Sequence, residues 1–249
     1  MKLGIVGAGR VGGTLAKKLT NAGHDVAIAN ARGPDTLRRL ESQLGPHARA
    51  CTPEQAAAFG DIVIVSVPFG HYRELPVAGT AGKTVIDASN YQPTRDGHIA
   101  ELDDNSTTSS ELLQRHLPQA KVVKAFNAMR WDHLRDYGHT GGPAMRYGIP
   151  ISGDDPTAKR DVADLVEQLG FEPVDAGDLA HGGRKHQPGT PLFTADLTDE
   201  ELHRRLDPAV YRPPTAQDWT AAAAQAHTPG GPYDQSAVLT RDGRPGSGR

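Results

Sequence analysis

A glycine-rich motif near the N-terminus carries the clearest chemical meaning in this sequence. It has the spacing Gly-x-Gly-x-x-Gly and consists of Gly7, Ala8, Gly9, Arg10, Val11 and Gly12. An apolar run typical of a strand precedes it, and Val11, Leu15 and Leu19 then recur on one helical face. In that context the glycines allow a tight turn and close approach to a pyrophosphate, which the free N–H groups of the helix attract. The motif predicts a dinucleotide site; a glycine-rich turn without a ligand is the less favoured alternative.

The residues after the second predicted strand favour one nicotinamide coenzyme over the other. NAD enzymes usually carry an acidic residue there, which bonds the ribose 2′-hydroxyl. This chain has no acid at that point and continues through Asn30, Ala31 and Arg32. A guanidinium can pair with the 2′-phosphate of NADP, whereas a carboxylate would repel it. The sequence therefore favours NADP(H), with an exposed loop arginine as the alternative interpretation of Arg32.

Alternating strand and helix patterns must position these residues. We predict eight strands, at residues 3–6, 25–29, 48–51, 61–67, 84–87, 121–126, 149–152 and 171–175. Helical patterns lie between them, including those at residues 35–44, 53–59, 108–116 and 156–169. Several strands are apolar throughout, which is typical of strands buried on both faces. The prediction is a Rossmann-type, doubly wound α/β fold with a mainly parallel sheet and helices on both faces.

The pattern changes after about residue 176. We place the Rossmann domain at residues 1–193 and a short helical extension at 194–227, with helices at 197–206 and 216–226. Residues 228–249 hold Gly, Pro, Ser and charged residues with few apolar side chains, so we predict a disordered tail.

Composition excludes several classes of protein. The net charge is −3 with acids and bases mixed along the chain, unlike a nucleic-acid-binding surface. No apolar stretch has the length of a membrane span or a signal peptide, so we expect a cytoplasmic protein with a small-molecule substrate. Cys51 is the only cysteine, and His181 and His186 lack an acid or cysteine to complete a metal site. The sequence does not decide between a monomer and a homodimer.

Several segments, taken together, resemble the coenzyme F420-dependent NADP oxidoreductase family, and above all its bacterial NADPH-dependent F420 reductases. They are Gly4–Gly9, Ala29–Pro34, Ser66–Gly70, Val122–Asn127, Ile149–Asp155 and Val174–Gly177. The resemblance runs from residue 1 to about residue 193 and rests on the order and spacing of these segments. In that family a serine–arginine pair after the second strand binds the 2′-phosphate. Here Arg32 matches the arginine, Ala31 replaces the serine, and Thr36 stands where some members have a lysine.

The resemblance also implies where the reaction takes place. Pro68 and Phe69, together with Val67, would line the nicotinamide, and Asn127 lies at a strand's carboxyl end, where such sheets place ligands. Ser89 and Asn90 face the same cleft in this interpretation.

The implied reaction is hydride transfer between NADP(H) and coenzyme F420, or a similar planar acceptor, between the loops at residues 67–70 and 127–131. That transfer needs stacked rings and exclusion of water, for which Phe69 and Trp131 are candidate walls, and it singles out no catalytic residue.

Other functions remain open. An NADPH-dependent reductase of a small imine, ketone or flavin would need a proton donor in the first two cases, and His71, Tyr91 and His133 are the candidates. Imine reductases and β-hydroxyacid dehydrogenases also need a long helical domain, for which the residues after Phe193 are too few and too polar. A non-enzymatic NADP sensor is the third possibility.

Basic residues that could surround the site of an anionic acceptor follow two of the predicted strands. They are Arg130, His133, Arg135, Arg146, Arg184 and Lys185, with ordinary solvated charge as the alternative.

Overall fold

The computed structural model describes residues 1–138 and 146–212, and these form an eight-stranded sheet covered by helices. The strands are β1 Lys2–Val6, β2 Asp25–Ala29, β3 Ala48–Cys51, β4 Ile62–Val65, β5 Thr84–Asp87, β6 Lys121–Lys124, β7 Gly148–Gly153 and β8 Glu172–Gly177. Their order across the sheet is β3-β2-β1-β4-β5-β6-β7-β8. Neighbouring strands are parallel except β6 and β7, which are antiparallel. The order reverses at β1, and open sheets of this kind bind ligands outside the carboxyl ends of the strands at such a point, here β1 and β4.

The helices connect these strands. They are α1 Arg10–Asn21, α2 Arg38–Leu44, α3 Pro53–Phe59, α4 Pro93–Asp96, α5 Ala100–Asp103, α6 Ser109–His116, α7 Trp131–Asp136, α8 Pro156–Gln168, α9 Gly182–Lys185 and α10 Asp199–Leu206. Short 3-10 helices span Pro34–Leu37, Phe69–Glu74 and Ala78–Thr80. Thr52, Thr108 and Thr198 each begin a helix with a capping box, because a Gln or Glu follows three residues later.

Each face of the sheet has its own apolar core, because successive side chains of a strand point to opposite faces. Ile62 and Ile64 of β4 pack on the face covered by α1, α2 and α8, whereas Val63 and Val65 pack on the face covered by α3 and α6. A smaller cluster joins Leu202 of α10 to β8. Helices therefore lie on both faces, and the predicted Rossmann-type α/β fold is confirmed.

The predicted elements differ from the structure mainly at the carboxyl edge of the sheet. The strands predicted at 61–67 and 121–126 end earlier, at Val65 and Lys124, because the chain there leaves the sheet to form loops. The helix predicted at 35–44 begins as a 3-10 helix and becomes α-helical only at Arg38. The helix predicted at 216–226 and the tail at 228–249 lie outside the described residues, and the domain boundaries remain predictions.

Residues 1–138 and 146–212 contain neither a membrane-spanning helix nor a cluster of metal ligands. None of their helices combines the length and the apolar character of a membrane span. No group of three or more of their His, Cys, Asp or Glu side chains is arranged to hold a metal ion.

Candidate functional site

The turn between β1 and α1 has two glycines that the fold requires and one that it does not. Gly7 has a φ of +114°, and a Cβ on it would collide with the Ser66 carbonyl group. A Cβ on Gly12 would overlap the Gly7 carbonyl oxygen. A Cβ on Gly9, in contrast, would have no atom of the described residues within 4 Å. The backbone at Gly9 therefore faces open space that a ligand could occupy.

The first turn of α1 is suited to an anion. Gly9 precedes the helix, no side chain in the described part of the chain caps its first turn, and that turn contains no acidic residue. The N–H groups of Arg10 and Val11 therefore lie at the positive end of a twelve-residue helix. Ala8 and Val11 are half-buried against the core beneath them. A phosphate group is the kind of ligand that such a helix start binds.

Asn30 fixes the loop after β2. Its Oδ1 accepts a hydrogen bond from the Arg32 N–H at 3.0 Å, and its Nδ2 donates to Thr36 Oγ1 at 3.0 Å. Thr36 Oγ1 in turn donates to the Gly33 carbonyl at 2.8 Å. Ala31 and Arg32 are exposed at the tip, and the Arg32 guanidinium has no partner within residues 1–138 and 146–212. The loop thus holds, on a constrained backbone, a guanidinium that no described residue pairs with.

The loop after β4 turns its aromatic residue away from solvent. Phe69 is 1% exposed, stacks on Tyr72 with 4.7 Å between ring centroids, and meets the edge of Tyr91. Val67 is half-buried and Pro68 is exposed. Of the three residues predicted to line a nicotinamide, Val67 and Pro68 have accessible surface, and Phe69 supports the loop from the core.

A buried ion pair lies at the ends of β5 and β6. Asp87 and Lys124 are 0% and 1% exposed, and Lys124 Nζ lies 3.5 Å from Asp87 Oδ2. Asp87 also accepts hydrogen bonds from the Ser89 N–H at 3.0 Å, from the Ser89 hydroxyl, and from Ser110 Oγ at 2.6 Å. Lys124 donates to the Ser89 carbonyl at 3.2 Å and to Ser109 Oγ at 3.4 Å. Because buried charges need partners, this cluster fixes the strand ends against α6.

A second buried network begins at Asn127. Its Nδ2 donates to Asn90 Oδ1 at 3.1 Å and to the His186 carbonyl at 2.7 Å, and its carbonyl accepts from Asn90 Nδ2 at 2.9 Å. His186 Nδ1 lies 3.0 Å from Asn127 Oδ1, and its Nε2 lies 2.9 Å from Ser152 Oγ. Asn127 is 3% exposed, whereas Asn90 is half-buried. The sequence interpretation included Asn90 and Asn127 and missed the role of His186.

Phe126 turns the chain from β6 into this network. It is buried and has a φ of +62°, a conformation that bulky residues rarely adopt. Such strain persists only where surrounding contacts impose it, and it is concentrated at functional sites. The backbone at Phe126 therefore makes the carboxyl edge of β6 a candidate functional site independently of the glycine motif.

The predicted proton donors are tied to neighbouring groups. His71 is exposed and lies 2.8 Å from Glu74. The Tyr91 hydroxyl lies 2.6 Å from Asp103 Oδ1 and 3.0 Å from the Gly97 carbonyl, and it accepts a hydrogen bond from the Ile99 N–H. Burial, together with the Asp103 hydrogen bond, raises the pKa of Tyr91 to about 12. Tyr91 is therefore a poor acid at neutral pH.

His133 has a carboxylate partner. Its Nδ1 lies 2.5 Å from Asp196 Oδ2, and its ring stacks on Tyr137 at 4.4 Å between centroids. Burial raises the pKa of Asp196, and the neighbouring His133 opposes that rise. A carboxylate that orients an imidazole is an arrangement suited to acid–base chemistry.

The predicted basic rims are partly neutralised. Arg130 pairs with Asp132 at 2.8 Å, and Arg135 pairs with Asp136 at 2.6 Å. The indole of Trp131 lies under two guanidinium groups, those of Arg10 at 5.3 Å and Arg135 at 5.2 Å. Trp131 thus links α7 to the first residue of α1.

The two basic residues of α9, Arg184 and Lys185, lie near an aromatic ring. The Lys185 ammonium lies 5.6 Å from the centre of the Tyr211 ring, and both Arg184 and Lys185 are half-buried.

Comparison with known proteins gives relatives over most of the described residues. The sequence profile of a family described as NADP oxidoreductase, coenzyme F420-dependent, matches residues 2–91. A hypothetical protein from Sinorhizobium meliloti is 32% identical, with 80% of this chain and 96% of that chain covered and a TM-score of 0.70. A candidate F420-dependent NADP reductase from Arthrobacter sp. FB24 is 31% identical, with 74% and 88% covered and a TM-score of 0.62.

More distant similarity shows the fold alone. A reductive aminase from Aspergillus terreus, solved with NADPH and ethyl levulinate, is 20% identical, with 72% of this chain and 56% of that chain covered and a TM-score of 0.51. No curated protein matches the sequence.

Proposed function

Since the chain belongs to the coenzyme F420-dependent NADP oxidoreductase family, we propose that it transfers a hydride between NADP(H) and coenzyme F420 or a similar planar acceptor. NADP-linked oxidoreduction follows from the family, and the identity of the acceptor is the proposal. The observation that carries the coenzyme assignment is that the chain has both a helix start without a side-chain cap among the described residues, open above Gly9, and an exposed guanidinium at Arg32.

In this proposal, different residues bind the pyrophosphate, the 2′-phosphate and the nicotinamide of the coenzyme. The N–H groups at the start of α1 bind the pyrophosphate, and Gly9 lets the backbone approach it. Arg32 pairs with the 2′-phosphate, while Asn30 holds the Ala31–Arg32 tip in place. Val67 and Pro68, in the loop after β4, line the nicotinamide.

NADPH supplies the hydride when it is bound. The chain's own contribution is orientation and exclusion of water, because stacked rings exchange a hydride without a nucleophile or a metal. Val67 and Pro68 on one side and the Asn127–Trp131 loop on the other border the space for the acceptor. Trp131 closes the side next to Arg10.

Arg32→Ala is expected to weaken NADPH binding by about 1–3 kcal/mol, because it removes a charge-assisted hydrogen bond, and to leave NADH binding nearly unchanged. Titration of each coenzyme by fluorescence or calorimetry measures both affinities. Arg204→Ala, on α10 at the other end of the sheet, removes the same charge and is the matched control. Equal losses for NADPH and NADH would contradict the assignment of Arg32 to the 2′-phosphate.

An absorbance assay tests the acceptor. Oxidation of NADPH is followed at 340 nm with coenzyme F420, a free flavin, a cyclic imine and a ketone as separate acceptors. We expect turnover with F420 to exceed that with the others. Coenzyme binding without turnover of any acceptor would instead favour an NADP sensor.

The His133–Asp196 pair supports a second candidate function, reduction of an imine or ketone with His133 as proton donor. His133→Ala and His71→Ala distinguish the two. With a planar acceptor, both variants should retain turnover, because hydride transfer then needs no acid. Loss of turnover in His133→Ala alone, with coenzyme binding preserved, would favour the imine or ketone reductase.

A further inference from the structure

We propose that Asn90 recognises the carboxamide of the nicotinamide, and that His186 is a positioning residue that locks Asn127, and through it Asn90, in the orientation this requires. The proposal rests on the proposed NADP(H) function and extends it to residues for which the glycine motif gives no indication. It is carried by the buried network of Ser152, His186, Asn127 and Asn90.

The hydrogen bonds of this network determine its donors and acceptors. The His186 carbonyl can only accept, so the Asn127 atom 2.7 Å from it is the amide nitrogen, and the other amide atom is the oxygen. That oxygen must therefore accept a hydrogen bond from the N–H group at His186 Nδ1, 3.0 Å away. His186 Nε2 is then unprotonated and accepts from the Ser152 hydroxyl at 2.9 Å. The tautomer of His186 with the proton on Nδ1 is the one that is consistent with every hydrogen bond of the network.

His186 serves as a neutral group. It is fully buried, and burial together with the nearby charges of Lys124 and Lys185 lowers its pKa well below the ordinary value of 6.5. The imidazole therefore holds its Nδ1 proton in a fixed hydrogen bond and has none to give to a substrate. Its effect is exerted through Asn127, whose amide hydrogens and oxygen are all engaged within the network.

Asn90 presents the remaining polar atoms. Its Oδ1 accepts from Asn127 Nδ2 and its Nδ2 donates to the Asn127 carbonyl, which leaves one N–H and one lone pair on a half-buried side chain. Arg95 holds the Asn90 carbonyl at 2.6 Å. A primary carboxamide has an oxygen acceptor and two N–H donors, and its oxygen and one N–H are complementary to this pair of atoms. Asn90 follows β5, next to the β4 loop proposed to line the nicotinamide.

Three variants test the proposal. Asn90→Ala removes the recognising amide. His186→Asn keeps a donor at the position of Nδ1, whereas His186→Gln keeps an acceptor at the position of Nε2 and loses the donor to Asn127. Calorimetry measures the affinity of each for NADP⁺ and for 2′-phospho-ADP-ribose, which lacks the nicotinamide, and needs no hydride acceptor.

We expect Asn90→Ala and His186→Gln to lose about tenfold in NADP⁺ affinity, as for one or two lost hydrogen bonds, and to bind 2′-phospho-ADP-ribose as the wild type does. His186→Asn should stay within about threefold of the wild type for both ligands, because the donor to Asn127 is retained. Unchanged NADP⁺ affinity in Asn90→Ala, or equal losses for the two ligands in the His186 variants, would overturn the proposal.

Three further outcomes are decisive in the wild-type protein. Long-range ¹H–¹⁵N spectra report the tautomer of His186 without any substitution at that position, and the Nε2–H form would overturn the proposal even if the His186 variants fail to fold. If the wild-type protein binds 2′-phospho-ADP-ribose and NADP⁺ equally well, carboxamide recognition is wrong. If it binds neither, the proposed function itself has failed.

Discussion

Gly9→Ala is expected to leave the protein folded and to weaken NADP(H) binding by about 2 kcal/mol, or roughly 30-fold. The added methyl group meets no atom of residues 1–138 and 146–212 within 4 Å, and the Gly9 backbone, with φ −75° and ψ −164°, suits alanine. It would instead occupy the space that the pyrophosphate needs to reach the N–H groups of α1. Thermal unfolding and coenzyme titration measure the two effects separately.

Gly13→Ala is the matched control for this prediction. Gly13 lies within α1, and its added Cβ also meets no described residue within 4 Å, so affinity should be unchanged and the helix slightly more stable. Gly12→Ala should behave in the opposite way to Gly9→Ala, because its Cβ would overlap the Gly7 carbonyl and disrupt the packing of α1 on β1. Full NADP(H) affinity in Gly9→Ala would show that the pyrophosphate binds elsewhere.

Asp87→Ala is expected to destabilise the fold by about 3–5 kcal/mol, because it leaves the buried ammonium of Lys124 without its counter-charge. The substitution also removes the acceptor for the Ser89 N–H and the Ser110 hydroxyl. Urea unfolding followed by circular dichroism measures the loss. Asp136→Ala breaks the exposed pair with Arg135 and should leave the urea midpoint nearly unchanged.

A double variant checks the cause of this loss. Asp87→Ala combined with Lys124→Met removes both charges, so it should be less destabilised than the sum of the two single variants. Strict additivity would mean that Asp87 stabilises the fold through the serine hydrogen bonds and not through its pairing with Lys124.

The parts predicted correctly from the sequence depend on neighbouring residues. β2, β3, β5 and α3 have the predicted limits, because strand burial and capping residues leave a local pattern of apolar and polar positions. The steric roles of Gly7 and Gly12 also follow from their place in a strand–turn–helix segment. The resemblance to the F420-dependent family depends on such local segments, and it is confirmed.

The orientation of single side chains at the carboxyl edge was less predictable. Phe69 was expected beside the nicotinamide, on the basis of a segment that follows a strand. In the structure the strand stops at Val65, and a 3-10 helix begins at Phe69 and turns its ring into the core against Tyr72. The direction of the Phe69 side chain depends on where the strand ends and the 3-10 helix begins. The pattern of apolar and polar residues in the sequence does not mark that position.

The sequence by itself determined the order of elements, the dinucleotide motif and the exposed arginine after β2, since each depends on residues a few positions apart. Only the tertiary structure decided which distant polar residues meet. His186 lies 59 residues beyond Asn127 and 34 beyond Ser152, in a segment rich in Gly, His and Pro that has no strand or helix periodicity. The antiparallel β6–β7 pairing and the return of the chain through α9 bring these side chains together. Buried polar groups need hydrogen bonds to replace those that they lose to water. In this network the partners come from residues far apart in the sequence, so local sequence patterns do not reveal them.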